Sequence, residues 1–206
     1  MRRLTIACAV LALVVLQAGV VNAAPLGLEF PHYPRVWAND IDVSYDAGTG
    51  LFEAVWGYAV EQYDDANEVL TYIDGDFNLS VYLNEDGTLA SSTGSLLVTS
   101  DYEDPDSILF YSTHVERFGF STVDVFEFEF TQQGPGLPPE GEPIGVILTG
   151  ASIDPDDFDP NAPVPFANSF TNGGNGYADV FYLPEPATAA LLGLGALAAL
   201  RVRRKV

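Results

Sequence analysis

Cysteine is almost absent from this chain. Its one cysteine, Cys8, lies in an N-terminal apolar segment that we expect to be removed, so the remaining chain has no thiol. That excludes disulfide bonds and cysteine chemistry from the exported part. The fold must therefore gain its stability from an apolar core. With 13 Phe, 10 Tyr and 2 Trp, the chain has the aromatic side chains to build one and is not a disordered acidic stalk.

Basic residues are equally scarce between the two terminal segments. Residues 24–182 contain 28 acidic side chains against two basic ones, Arg35 and Arg117, and no lysine, which leaves 26 net negative charges. A surface with this charge repels nucleic acid and anionic membranes. We therefore expect no nucleic-acid partner.

Catalytic motifs are missing as well. The sequence contains no nucleophile elbow, no HExxH metal site and no phosphate-binding loop. The only histidines are His32 and His114, and His114 falls within a predicted strand. We predict no catalytic residues, and a hydrolase that depends on His114 is the least favoured of three functional hypotheses.

The N-terminus has the features of a secretory signal peptide. Arg2 and Arg3 precede an apolar stretch over 4–21 that is followed by small residues. We expect the Sec translocon to export the chain. Signal peptidase would then cleave it between Ala23 and Ala24. The predicted organisation is a signal peptide over 1–23, an acidic domain over 24–182 and a sorting segment over 183–206.

At the C-terminus a Pro-Glu-Pro triplet precedes an apolar run and a basic tail. The apolar run over 187–200 would form a helix about 21 Å long, against a hydrocarbon core of about 30 Å, so it is short for a permanent membrane span. The tail over 201–206 would hold the C-terminus in the cytoplasm by the positive-inside rule. Its basic residues are Arg201, Arg203, Arg204 and Lys205.

This combination closely resembles the PEP-CTERM sorting signal of exported bacterial proteins. The resemblance implies that a membrane transpeptidase of the exosortase type recognises Pro184, Glu185 and Pro186 and removes the helix that follows. It also implies a transient anchor in the inner membrane and delivery to the cell envelope surface or extracellular matrix. The sequence departs from the commonest form of the signal in having Leu183 where Val is usual, and in its short helix.

Alternating apolar and polar residues dominate the acidic domain. Phe126, Phe128 and Phe130 alternate with polar residues, and residues 77–83 show the same period, which predicts strands with one buried face. A third apolar row includes Trp56, which we therefore expect in the core. Further strands are predicted over 41–45, 94–100, 108–118, 144–149 and 177–182.

The domain shows no convincing helical stripe. About eight strands separated by Gly, Asp and Asn turns predict an all-β fold, an antiparallel β-sandwich resembling a jelly roll, with a barrel as the alternative. The predicted helices are the signal helix and the C-terminal transmembrane helix. Two polar segments, over 154–165 and 168–176, are predicted to form a long irregular excursion, and such loops often carry function.

Calcium is the cofactor that the sequence favours. Four carboxylates lie within six residues on a proline-stiffened loop and offer the hard oxygen ligands that calcium prefers. They are Asp154, Asp156, Asp157 and Asp159, but the segment lacks the residue order of known calcium loops, so a solvated acidic loop is the slightly favoured interpretation. A second acidic group includes Asp101 and Glu103. An EF-hand spacing that begins at Asp74 is rejected, because Leu79 stands where the loop needs glycine.

Carbohydrate is the other candidate ligand. Trp37 lies in a proline-flanked segment and is the aromatic residue that we single out as a possible sugar-stacking ligand. The leading functional hypothesis is a structural or adhesive component of the cell surface or extracellular matrix. The alternative is a carbohydrate-binding module of the exopolysaccharide matrix.

Overall fold

The computed structural model is an all-β closed barrel, so the predicted sandwich is wrong, although the all-β class is confirmed. The structure describes residues 24–28, 33–64, 70–104, 107–122, 124–154, 156–172 and 174–183. All regular elements in these ranges are strands: β1 (Arg35–Asp46), β2 (Leu51–Tyr63), β3 (Leu70–Leu83), β4 (Leu89–Thr99), β5 (Ile108–Thr122), β6 (Val125–Thr131), β7 (Pro143–Thr149), β8 (Phe170–Thr171) and β9 (Gly176–Tyr182).

Eight long strands close the barrel. Strands β1 to β6 each pair antiparallel with the next strand in the chain, β7 pairs with β9, and β9 returns to pair with β1. The two-residue strand β8 adds to β1 at Tyr45. Alternation of apolar and polar residues is the same in a sandwich and a barrel. The difference lies in the long-range pairing of β1 with β9, which leaves none of the eight strands with an open edge.

The predicted helices cannot be compared with the structure. The signal helix over 1–23 and the transmembrane helix over 187–200 both lie outside the described residues. Across the ranges given above, no helix has the length and apolar character needed to cross a membrane.

Large aromatic side chains fill the barrel. The prediction for Phe126, Phe128 and Phe130 is confirmed, because all three are fully buried. Phe52 packs among them, with ring centroids 5.2 Å from Phe126 and 5.5 Å from Phe128. Burying each such side chain contributes about 1.5–3 kcal/mol, so this core takes the place of disulfides. The largest fully buried side chains are Phe52, Phe77, Phe110, Phe126, Phe128, Phe130, Phe158, Phe166, Phe181, Ile41, Leu79 and Leu96.

The two ends of the barrel differ. Strand β1 begins beside the end of β9, with Arg35 opposite Phe181, and we call this the terminal end. The opposite end carries the turns over 47–50 and 84–88 and the long segment over 150–169. We call it the plugged end, for the reason that follows.

The segment over 150–169 fills the plugged end with two phenylalanines. Phe158 and Phe166 are fully buried, and their rings meet edge to face with centroids 4.9 Å apart. Phe166 also lies 5.9 Å from the ring of Phe118 on β5. Its backbone N–H donates to the carbonyl oxygen of Glu85 at 3.0 Å. The acidic, proline-broken part of the predicted excursion therefore completes the core, while its carboxylates remain outside.

The short N-terminal segment over 24–28 lies on the outer face of β5 and β6. The backbone N–H groups of Leu26, Gly27 and Leu28 donate to the carboxylate of Glu127, at 2.5, 3.1 and 3.2 Å. Gly119 permits this approach, because a Cβ there would lie 2.4 Å from the carbonyl oxygen of Ala24. Glu127, which points outward, is consequently only 6% exposed.

Candidate functional site

Exposed aromatic side chains are concentrated on one side of the barrel. Of eight large apolar side chains exposed in the described ranges, five lie on β2 and β3 and a sixth, Tyr102, lies in the loop between β4 and β5. Trp56 and Tyr72 are 76% and 74% exposed. Such a concentration marks an interaction site more often than chance. We define the aromatic face as Trp56, Tyr58, Tyr72 and Tyr102, with the polar neighbours Asp74, Asp76 and Asn78.

Trp56 is outside the core because β2 contains a bulge. The register with β3 shifts between Ala54 and Gly57, so that an extra residue enters β2 at this point. Trp56 occupies that position with φ of 62°, in the left-handed region that bulky residues seldom adopt. The prediction that Trp56 is a core residue is therefore wrong, because it assumed unbroken alternation along the strand.

Close packing around Gly57 explains the position of the bulge. A Cβ on Gly57 would lie 2.5 Å from Cγ1 of Ile41 and 3.3 Å from the side chain of Phe77. Only glycine fits the interior at this level of β2 without a shift of its neighbours. Trp56, the residue before it, is turned outward, and its backbone N–H donates to Oδ1 of Asn78 at 3.3 Å.

Polar side chains line the outer side of β3 between these aromatic rings. Asp74, Asp76 and Asn78 alternate with buried residues, and Asp76 lies directly opposite Tyr58 of β2 in the register. The strand predicted over 77–83 is confirmed as part of β3. Because Asp74, Asp76 and Asn78 stand on an extended strand, they form a linear row of hydrogen-bonding groups.

A surface cleft of about 690 Å³ continues the aromatic face toward the terminal end. It lies between β3 and the loop that joins β4 to β5, where Asp74 and Asp101 form a parallel bridge. The acidic group singled out in the sequence thus contributes two carboxylates, from Asp101 and Glu103, to this cleft. Its lining residues are Gln62, Thr71, Tyr72, Ile73, Asp74, Ser100, Asp101, Tyr102 and Glu103.

Hydrogen bonds hold the cleft loop against β3. The backbone N–H of Tyr102 donates to the carbonyl oxygen of Asp74 at 2.8 Å. The Tyr102 hydroxyl donates to Oε1 of Glu103 at 3.0 Å, which raises the pKa of the phenol. The hydroxyl of Ser107 donates to the carbonyl oxygen of Asp101 at 2.8 Å. Backbone hydrogen bonds therefore tie the described part of this loop to β3 at Tyr102.

Both cations of the acidic domain form ion pairs, and neither is among the residues that line the cleft. Arg35 lies 3.4 Å from Asp179, and its guanidinium stacks 4.0 Å from the ring centroid of Tyr63. Arg117 pairs with Glu129 on the outer surface of β5 and β6. The carboxylates of the aromatic face consequently stand in a field that is almost entirely negative.

The barrel ends immediately before the predicted sorting triplet. Strand β9 ends at Tyr182, and the backbone N–H of Leu183 still donates to the carbonyl oxygen of Pro143 at 3.0 Å. A family profile matches the residues from this point onward. Residues 183–205 carry a PEP-CTERM protein-sorting motif. The resemblance seen in the sequence is thereby confirmed.

The PEP-CTERM motif supports an exported protein that is sorted through an exosortase. It covers only the C-terminal segment and does not describe the barrel. No curated protein and no solved structure matches the chain. Pro184, Glu185, Pro186 and the basic residues Arg201, Arg203, Arg204 and Lys205 lie outside the described residues, as do Ala23 and His32.

Trp37, the predicted sugar ligand, is only partly exposed. It lies on the outer side of β1 and stacks on Tyr177 with ring centroids 6.0 Å apart and planes inclined by 14°. In the register it lies opposite Glu61 of β2, which in turn lies opposite Tyr72 of β3. Trp37 is therefore two strands, or about 10 Å, from Tyr72 of the aromatic face.

The carboxylates of the predicted calcium loop are exposed and take part in local turns. Oδ1 of Asp154 accepts the N–H of Asp156 at 2.9 Å, and Oδ1 of Asp159 accepts the N–H of Asn161 at 2.9 Å. In the part of the chain that the structure describes, no three acidic or histidine side chains are grouped as metal ligands. Calcium binding at Asp154, Asp156, Asp157 and Asp159 stays a prediction, which melting with and without a chelator would test.

His114 stands beside a carboxylate on β5. Its Nε2 is 3.3 Å from Oε1 of Glu116, and both side chains are more than 40% exposed, at 42% and 44%. The hydroxyl of Ser112, which accepts the backbone N–H of His114 at 3.0 Å, is buried and donates to the carbonyl oxygen of His114. Both hydrogen bonds of the Ser112 hydroxyl are therefore made with the backbone of His114 and not with its imidazole.

Proposed function

We propose that this protein is a structural or adhesive component of the cell surface or extracellular matrix. The PEP-CTERM motif makes it an exported protein sorted through an exosortase. The observation that supports an adhesive role is the aromatic face. Several large exposed aromatic side chains lie together there, and such a patch is typical of an interaction site.

The position of the sorting motif is consistent with display of the barrel. Leu183 is still hydrogen-bonded to the terminal end, so the motif follows the last strand without a linker. While the C-terminal segment is anchored in the inner membrane, the plugged end would point away from the membrane. The aromatic face, along the side of the barrel, would then be accessible to the matrix.

Replacement of the sorting triplet tests this role. In a variant with Pro184→Ala, Glu185→Ala and Pro186→Ala, we expect the full-length chain to accumulate in the inner membrane. A C-terminal epitope tag should be lost from the surface-located wild-type chain and retained in the variant. A tag that stays on the surface-located wild-type chain, or a variant that is sorted normally, would contradict the proposal.

A carbohydrate-binding module of the exopolysaccharide matrix is the second candidate function. The sequence suggested Trp37 as its ligand residue, and the exposed rings of the aromatic face give this function additional support. A hydrolase is the third functional hypothesis. It predicts that the chain turns over a substrate and that His114→Ala abolishes this turnover. Nothing in the surroundings of His114 favours it over the two binding roles.

A further inference from the structure

We infer that the aromatic face binds a polysaccharide whose sugars carry hydroxyl or amino groups and no acidic groups. The inference rests on the proposed adhesive role and names the ligand through which that role would act. Three independent features of the face carry it: a strained exposed tryptophan, a linear row of acceptors, and an open cleft in line with them.

The conformation of Trp56 is the first feature. A left-handed backbone conformation is strained for a non-glycine residue, and such strain is concentrated at ligand sites. Here it turns an indole that is 76% exposed outward from the sheet, on the same strand as Tyr58, which is 56% exposed. Flat aromatic faces held in water suit the apolar C–H face of a pyranose ring.

The polar row on β3 is the second feature. Asp74 and Asp76 present carboxylates, which when ionised only accept hydrogen bonds, and sugar hydroxyl and ammonium groups are donors. Asp76 lies opposite Tyr58, so that a ring stacked on the tyrosine has an acceptor beside it. Polysaccharides that carry uronate, sulfate or phosphate groups would be repelled, because the domain has 26 net negative charges.

The shape of the face is the third feature. Asn78 lies six positions after Tyr72 along β3, which is about 20 Å of extended strand. The cleft lined by Tyr72 and Tyr102 lies at one end of this row, and Trp56 lies at the other. Sites for small molecules enclose most of their ligand, whereas this face is open along its length, as a polymer requires.

A binding assay with the purified full chain tests the inference independently of sorting. Depletion of the chain from solution by cellulose, chitosan and alginate beads would give dissociation constants for a neutral, an amine-bearing and an acidic polysaccharide. We expect binding to cellulose or chitosan and none to alginate. Cellulose binding would assign the ligand to neutral sugars, and chitosan binding alone would assign it to amino sugars.

Two variants locate the site. Trp56→Gly, which relieves the backbone strain, and Tyr72→Ala should each weaken binding about tenfold, as expected for removal of an aromatic hot spot. The matched control is Tyr82→Ala, which removes a 44% exposed tyrosine from the same strand at the plugged end and should leave binding unchanged. Circular dichroism establishes that each variant is folded.

Three outcomes would overturn the inference. The first is no binding to cellulose or chitosan, and the second is an equal loss of binding in Tyr82→Ala. The third is chitosan binding that high salt abolishes and that Trp56→Gly leaves unchanged, which would indicate a charge-matched cationic partner such as a basic protein. In all three cases, surface location of the chain would still support the proposed adhesive role. Failure of the polysaccharide inference can therefore be distinguished from failure of the proposed function.

Discussion

The backbone N–H of Trp56 donates to the side-chain oxygen of Asn78 across the ladder between β2 and β3. This bond occupies a backbone donor that the bulge removes from the regular ladder, and it fixes the one residue of β2 that has a positive φ. Asn78 therefore stabilises a conformation that is locally unfavourable. The result is an indole placed on the outer surface of the barrel, although Phe52 and Ala54 of the same strand are fully buried.

Replacement of Trp56 by glycine should stabilise the protein slightly. Glycine adopts a positive φ without strain, and an indole that is 76% exposed contributes little packing. We expect Trp56→Gly to raise the free energy of unfolding by about 1 kcal/mol, measured by urea denaturation. Asn78→Ala should lower it by about 0.5–1 kcal/mol. A loss of about 3 kcal/mol or more on Trp56→Gly, as for a core tryptophan, would contradict the structure.

Local patterns in the sequence were sufficient to predict the strands but not their closure. The period of two places Phe126, Phe128 and Phe130 in the core whether the sheet closes or stacks on a second sheet. The choice between these depends on Arg35 meeting Phe181, far away in the chain, and no local signal specifies that contact. The sorting motif is the opposite case. It is a short linear sequence read by an enzyme, so it could be found without any structure.

The aromatic face could not be predicted, because two non-local features create it. The bulge at Trp56 follows from the contact of Gly57 with Ile41 of the neighbouring strand, which the sequence of β2 does not show. Tyr72 and Tyr102 come together only through the bridge between Asp74 and Asp101. The burial of Phe158 and Phe166 could not be predicted either, because the sequence around them has no period that would mark a buried face.

Phe158 and Phe166 should be essential for stability although they lie outside the long strands. Both are fully buried in the plugged end. We expect Phe158→Ala and Phe166→Ala each to lower the free energy of unfolding by about 3–5 kcal/mol. Val164→Ala, in the same segment but 42% exposed, should change it by less than about 0.5 kcal/mol. Equal, small effects in all three variants would mean that the segment does not fill the barrel.

The contact of Glu127 with the segment over 24–28 leads to a prediction for stability and hydrogen exchange. Three backbone N–H groups share this carboxylate, and its loss in Glu127→Ala should cost about 1–3 kcal/mol. It should also release the segment, so that the amides of Leu26 and Leu28 exchange hydrogen faster. Gly119→Ala should have the same effect on exchange, because the added Cβ displaces Ala24. Amides that are unprotected in the wild-type chain would refute the contact.

The last prediction concerns Asp179, whose side chain lies between β1 and β9 at the terminal end. Burial raises the pKa of this carboxyl to about 6, and the nearby guanidinium of Arg35 opposes the rise only in part. Between the ordinary pKa of 3.8 and about 6, the folded chain binds this proton more tightly than the unfolded chain does. The stabilisation is therefore fully present below pH 3.8 and is lost as the pH rises through about 6.

Asp179→Asn should separate this effect from those of the many other carboxylates. The amide stays neutral, so the variant should be more stable than the wild type at pH 8, by up to about 3 kcal/mol, and the difference should vanish near about pH 4. Urea denaturation of both chains across this range measures the difference directly. Arg35→Gln removes the only opposing charge identified beside Asp179, so the pKa of Asp179 should rise further and the loss of stability should be larger and extend to higher pH. If Asp179→Asn follows the wild-type curve at every pH, Asp179 is ionised without penalty and the terminal end is not sensitive to pH through this residue.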